Sequence, residues 1–166
     1  PQRYVVFNVS AGTRIKEWPA EHFAALAGEV IQKHSLPVVL STLDADRVAL
    51  IKSLSKTPDQ LLDASMLSLG ESAALAMHSA CFVAVDTGPL YIAYAVGAKV
   101  VAIVGGSDPH QQLPPEGERM KHVLPPAGHE AWMFVAASPR TATPEQRESA
   151  SKTTVASVQS AVDALF

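Results

Sequence analysis

Residues 81–104 read CFVAVDTGPLYIAYAVGAKVVAIV, and this stretch decides the fold. It holds two wholly apolar runs, residues 81–85 and 100–104. Each has the length of a strand and lacks the polar alternation of one with a wet face, so each is expected to be covered on both sides, as in a parallel sheet. Between them DTGP turns the chain, and residues 90–96 are expected to be a helix that Gly97 closes.

The same alternation continues in both directions. Upstream, residues 4–9 form a β-branched and aromatic run that gives way to the polar loop SAGTRIKEW. Pro19 suits the first turn of a helix reaching about His34, with Phe23, Leu26, Ala27, Val30 and Ile31 on one face. Pro37 introduces the apolar Val38, Val39 and Leu40 of a second strand, residues 44–54 read as helix, and residues 60–62 as a short strand. Ser68 and Glu71 have capping-box spacing ahead of Ala74, Leu75 and Met77, in a helix ending near His78. Downstream, residues 120–124 are expected to form a sixth strand. The polar, Pro-bearing residues 125–150 are expected to be irregular, and Val155, Val158, Ala161, Val162 and Leu165 mark a last helix over 153–165, capped by Thr153 or Thr154.

Alternating strands and helices imply an α/β, Rossmann-like domain over residues 1–166, a parallel sheet with helices on both faces. Ligands of such sheets bind beyond the carboxyl ends of the strands, where the strand order reverses.

Composition agrees and excludes other classes. Of 166 residues, 48% are apolar and 17% charged, which suits one packed domain. The net charge of -3 gives no footprint for nucleic acid. Cys81, the single cysteine, lies mid-strand, so neither an internal disulfide nor a cysteine metal site is expected, and the six histidines show no ligand spacing, His22 and His34 included. The chain has no apolar run of about 18 residues and no signal-peptide order at PQRYVVFNVS, so a cytoplasmic location and no transmembrane segment are expected. Beginning at Pro1, it reads as a domain excised from a longer protein.

Three loops carry the chemistry. In VDTGP the strand stops at Asp86 and a helix starts, so unpaired N–H groups and the helix dipole favour a phosphate there. Gly88 permits close approach, Thr87 offers a hydroxyl, and Asp86 suits sugar hydroxyls; plain helix capping explains the same residues equally well. In NVSAGTRIKEWP, Lys16 and Arg14 have the charge for a diphosphate and Ser10 or Thr13 the hydroxyls, although alone they read more readily as solvated loop groups, with Trp18 pinning the first helix. In VGGSDP, Gly105 and Gly106 fit either a pocket wall or an unliganded turn. No G-x-G-x-x-G, P-loop or G-x-S-x-G motif occurs.

Taken in order, KEWPAEHFAALA, LSLGESAALAMHSACFVAVDTGP and VVAIVGGSDP resemble glycosyltransferase family 9, whose best-known members are the ADP-heptose:lipopolysaccharide heptosyltransferases. The resemblance spans about residues 5–109. It implies the C-terminal, donor-binding half of a two-domain GT-B enzyme that transfers a sugar with inversion. The donor is then an ADP-linked sugar, and a glycan or glycolipid acceptor is held by an N-terminal domain that also supplies the base. No cofactor or metal is implied. By resemblance Thr13 and Lys16 hold the diphosphate, Thr87 and Gly88 bind it through the turn, Asp86 contacts the sugar, Leu67 flanks the adenine, and Asp44 or Asp46 meets the ribose.

Two positions depart from the family pattern. Tyr91 stands where D-T-G-P-x-H has its histidine, and Gly106 where G-P-T-D-P has proline. A neutral phenol supplies no imidazolium charge to a leaving diphosphate, so the donor differs from ADP-heptose or activity is weakened. The alternative expectation is a noncatalytic binding or interaction module of the same family.

Overall fold

The computed structural model describes residues 3–126, 131–132 and 141–166. Six parallel strands form one sheet in the order β3-β2-β1-β4-β5-β6, with β1 at Val5–Asn8, β2 at Val38–Thr42, β3 at Leu61–Ser65, β4 at Cys81–Val85, β5 at Val100–Ile103 and β6 at Met120–Val123. The chain leaves β1 for β2 and β3, then returns to place β4 against the other side of β1, so the strand order reverses between β1 and β4.

Side-chain alternation along the buried strands feeds two cores. On one face Val5, Phe7, Val38, Leu40, Val83, Val85, Val101 and Ile103 meet α1 (Ala20–His34), α2 (Ala45–Leu54) and α7 (Val155–Asp163). On the other, Val6, Val39, Phe82, Ala84, Val100 and Ala102 meet α3 (Leu69–Met77) and α4 (Gly88–Ala95). Burial on both faces explains why the central strands read as unbroken apolar runs.

The caps follow the sequence. Ser68 and Glu71 complete both halves of the capping box on α3, and Thr154 caps α7 through the Ser157 N–H. Gly97 adopts φ +89° just past α4. Pro19 takes the cap position of α1 rather than its first turn. Strand β3 runs to Ser65, three residues beyond its expected end.

Of residues 125–150, expected to be irregular, 127–130 and 133–140 lie outside the described residues. The remainder is more regular than expected: Thr143 and Gln146 build a capping box for the short α6 (Pro144–Arg147), and a 3-10 turn follows at Ala150–Lys152. The GGSDP loop likewise ends in a short helix, α5 (Pro109–Gln112), capped by Asp108.

Candidate functional site

Pairing of Asn8 with Ala84 puts the carboxyl ends of β1 and β4 side by side. The loop after β1 and the turn after β4 therefore meet, and they meet on one carboxylate. Lys16, from the 3-10 turn Arg14–Lys16, sets Nζ 2.8 Å from Asp86 Oδ2. Ser107, from the loop after β5, donates to the same oxygen. The Tyr91 hydroxyl, in the first turn of α4, lies 2.8 Å from Asp86 Oδ1 and also within reach of the Gln112 carbonyl, so its one proton has two acceptors.

Asp86 is only 6% exposed. Burial pushes its carboxyl up, but the Lys16 and Ser107 hydrogen bonds, the Lys16 charge and the Tyr91 hydrogen bond together hold it below the usual carboxylate value. For Tyr91 burial and the facing carboxylate act in one direction, pushing the phenol well above its ordinary value, so it stands as a neutral donor. The cluster is thus an ionised carboxylate with an ammonium and two hydroxyls already in place.

The loop bearing Lys16 is braced from α2. The Arg47 guanidinium donates to the carbonyls of Val9 and Trp18 and pairs with Glu17 at 3.3 Å. Trp18, fully buried, packs edge-on against Phe23 and donates its indole N–H to the Thr153 carbonyl at 2.9 Å.

Two cavities open at the switch point, and Thr87 lines both. One, of about 490 Å³, is largely apolar, with Leu43, Leu67, Leu69, Pro89 and Ile92 on its walls and Asn8 and Thr42 at its strand ends. The other, of about 500 Å³, is lined by Lys16, Asp86, Thr87, Gly88, Tyr91 and Gln112. Thr87 occupies the cap position of α4, yet its side chain makes no capping hydrogen bond. A Cβ added at Gly88 would meet nothing within 4 Å, which leaves the helix start open to a ligand. Asn8 is 4% exposed; its Nδ2 donates to the Ser41 carbonyl, whereas Oδ1 has no partner among the described residues.

Five of the eight residues singled out from sequence thus converge on the polar cavity: Lys16, Asp86, Thr87, Gly88 and Tyr91. Leu67 joins Thr87 on the apolar one. Thr13 and Asp44 line neither. Thr13 precedes the 3-10 turn and accepts the Lys16 N–H through its carbonyl, while the loop residues facing the apolar cleft are Ser10, Ala11 and Gly12. The Asp44 carboxylate accepts the Arg47 N–H at 3.1 Å and caps α2, and Asp46 is exposed in the first turn of that helix. The paired glycines after β5 face protein: a Cβ at Gly106 would fall 2.3 Å from the Trp132 ring, and one at Gly105 3.3 Å from the Ala150 Cβ. Ser107, Arg47 and Asn8 are additions that the sequence reading did not name; a serine directly after the strand-end glycines was the one local signal among them.

Comparison with known proteins places the chain in a family. The model of glycosyltransferase family 9 (heptosyltransferase) matches residues 1–137. The chain belongs to glycosyltransferase family 9. It is 28% identical over 110 residues to lipopolysaccharide heptosyltransferase 3 of Escherichia coli, covering 64% of this chain and 32% of that one. Among solved structures, the family 9 glycosyl transferase from Veillonella parvula DSM 2008 superposes over 99% of this chain and 46% of its own with a TM-score of 0.79 at 21% identity. E. coli heptosyltransferase WaaC with ADP-2-deoxy-2-fluoro heptose superposes over 78% and 39% with a TM-score of 0.64 at 22% identity. The chain spans less than half the length of each of these family 9 proteins. Among the described residues no helix is long and apolar enough to cross a membrane.

Proposed function

We propose that the chain is the donor-binding half of an inverting, heptosyltransferase-like enzyme that takes ADP-heptose or a related nucleotide sugar. Its acceptor is a glycan or glycolipid of lipopolysaccharide-core type, held by an N-terminal domain that carries the base. The observation that supports this most is Thr87. A residue at a helix start whose hydroxyl does no capping, shared by an apolar and a cationic cavity, suits a diphosphate that joins a nucleoside to a sugar.

A nucleoside in the apolar cleft lies between Leu67 and Ile92, with Asn8 among the residues that line it. The diphosphate then crosses Thr87 and Gly88 towards the Lys16 ammonium, and the sugar meets Asp86, where three protein donors leave one acceptor direction of the carboxylate. Heptosyltransferase relatives, one of them named with an ADP-sugar analogue, support the donor class.

Calorimetry with ADP and UDP on the folded chain tests the reading. Binding of ADP in preference to UDP is expected, and a folded chain that takes neither refutes it. Joined to its N-terminal domain, the protein is expected to transfer heptose from ADP-heptose.

Tyr91 favours a second reading, a noncatalytic family member, because a neutral phenol bonded to Asp86 stands where the family pattern has histidine. Turnover by the two-domain protein that rises in Tyr91→His supports the enzyme; binding without turnover in both forms supports the module.

A further inference from the structure

We infer that Trp132 is a positioning residue of this site, an indole wedged between two loops so that Ser107 and Lys16 reach Asp86 together. The contacts are specific. Trp132 is 2% exposed, its backbone N–H donates to the Gly106 carbonyl at 2.9 Å, and its ring fills the place where a side chain at 106 would begin. Among the described residues its buried apolar partners are Ile15 and Ala142, in a small cluster apart from the two main cores.

Two of these contacts lie one residue from a donor to Asp86. Gly106 precedes Ser107, and Ile15 precedes Lys16. The indole therefore fixes the spacing between two loops that share no strand pairing of their own, since β1 and β5 are separated by β4. This also gives Gly106 a reason: with any Cβ at that position the ring must move away. Because the Trp132 cluster is separate from both sheet cores, truncating the indole is expected to loosen the loops and leave the domain folded.

The inference rests on the donor-site reading only for its ligand arm, so the test has two arms on the same chain. In the first, the Asp86 carboxyl is titrated by carbon-13 NMR without ligand, in wild type, W132A, W132F and G106A, with fold checked by circular dichroism. W132A and G106A are expected to move the Asp86 titration up towards the ordinary carboxylate range, and W132F to return it most of the way. In the second, ADP affinity is measured by calorimetry, and W132A and G106A are expected to weaken it about tenfold, the scale of one displaced charge-assisted hydrogen bond.

A folded W132A with an unmoved Asp86 titration would overturn the inference and make Trp132 a filler of its own cluster. Should W132A not fold, the pair G106A and W132F decides: an upward shift in the first with retention in the second supports it, and no shift in G106A overturns it. If wild type binds no ADP while the titration shifts as expected, the donor reading falls and the positioning role of Trp132 stands.

Discussion

Lys16 Nζ and Asp86 Oδ2 lie 2.8 Å apart although 70 positions separate them in the chain, and the pair is largely withdrawn from water, at 18% and 7% side-chain exposure. Removing the cation leaves a buried carboxylate with hydroxyl donors alone. Lys16→Met is therefore expected to lower stability by about 1–3 kcal/mol, read from urea unfolding, and to weaken ADP binding at least tenfold. Adding Asp86→Asn to Lys16→Met should recover stability but not binding. Equal recovery of both would show that Lys16 serves the fold and not the ligand.

The same carboxylate sets an acid limit. Its folded value is depressed, so its contribution is fully present above the unfolded value of about 4 and is lost as pH falls through the lower folded one. Asp163 has the same sign: burial pushes it up, but hydrogen bonds from Lys33, His34 and Gln159 and the Lys33 charge outweigh this. The urea midpoint is expected to drop as pH is lowered below about 4, and Asp86→Asn or Asp163→Asn each to flatten part of that drop. An unchanged acid profile in both variants would contradict the assignment.

Thr87 and Asp44 both occupy helix cap positions, and only Asp44 caps through its side chain. Asp44→Ala is expected to cost about 1 kcal/mol of stability while leaving ADP affinity unchanged. Thr87→Val should do the reverse, with little change in the unfolding midpoint and a clear loss of affinity. Loss of ADP affinity in Asp44→Ala would support the ribose contact that the family resemblance implies for that residue.

What the sequence displayed and what it concealed follow from how far each signal reaches along the chain. Strands β1, β4 and β5 are buried on both faces, so their apolar runs are visible locally, and with them the turn holding Asp86, Thr87 and Gly88. Strand β3 sits at the sheet edge with Leu62 and Asp63 exposed, which shortened its apparent length. Within 125–150, the order at Trp132 and Ala142 was not legible because their burial depends on Ile15 and Gly106, groups remote in sequence. Arg47 was hidden for the same reason, its carbonyl partners lying on another loop. Tyr91 drew notice only through the family resemblance, while its bond to Asp86 is a matter of geometry.

That bond gives the sharpest comparison. Held between Asp86 Oδ1 and the Gln112 carbonyl, the Tyr91 phenol titrates above its ordinary value, so subtracting the Tyr91→Phe absorbance curve from wild type should reveal no tyrosinate up to about pH 10. An imidazole at that position faces the same carboxylate, which favours its charged form and adds a cation beside the proposed diphosphate path. The ratio of Tyr91→His to wild-type ADP affinity is therefore expected to climb as pH falls from about 8 to 6, across the histidine range. Taking the ratio cancels the titration of ADP itself. A ratio that stays flat across that range would mean that the side chain at 91 does not face the bound phosphates, and the departure from the family histidine would then carry no weight in deciding between an enzyme and a binding module.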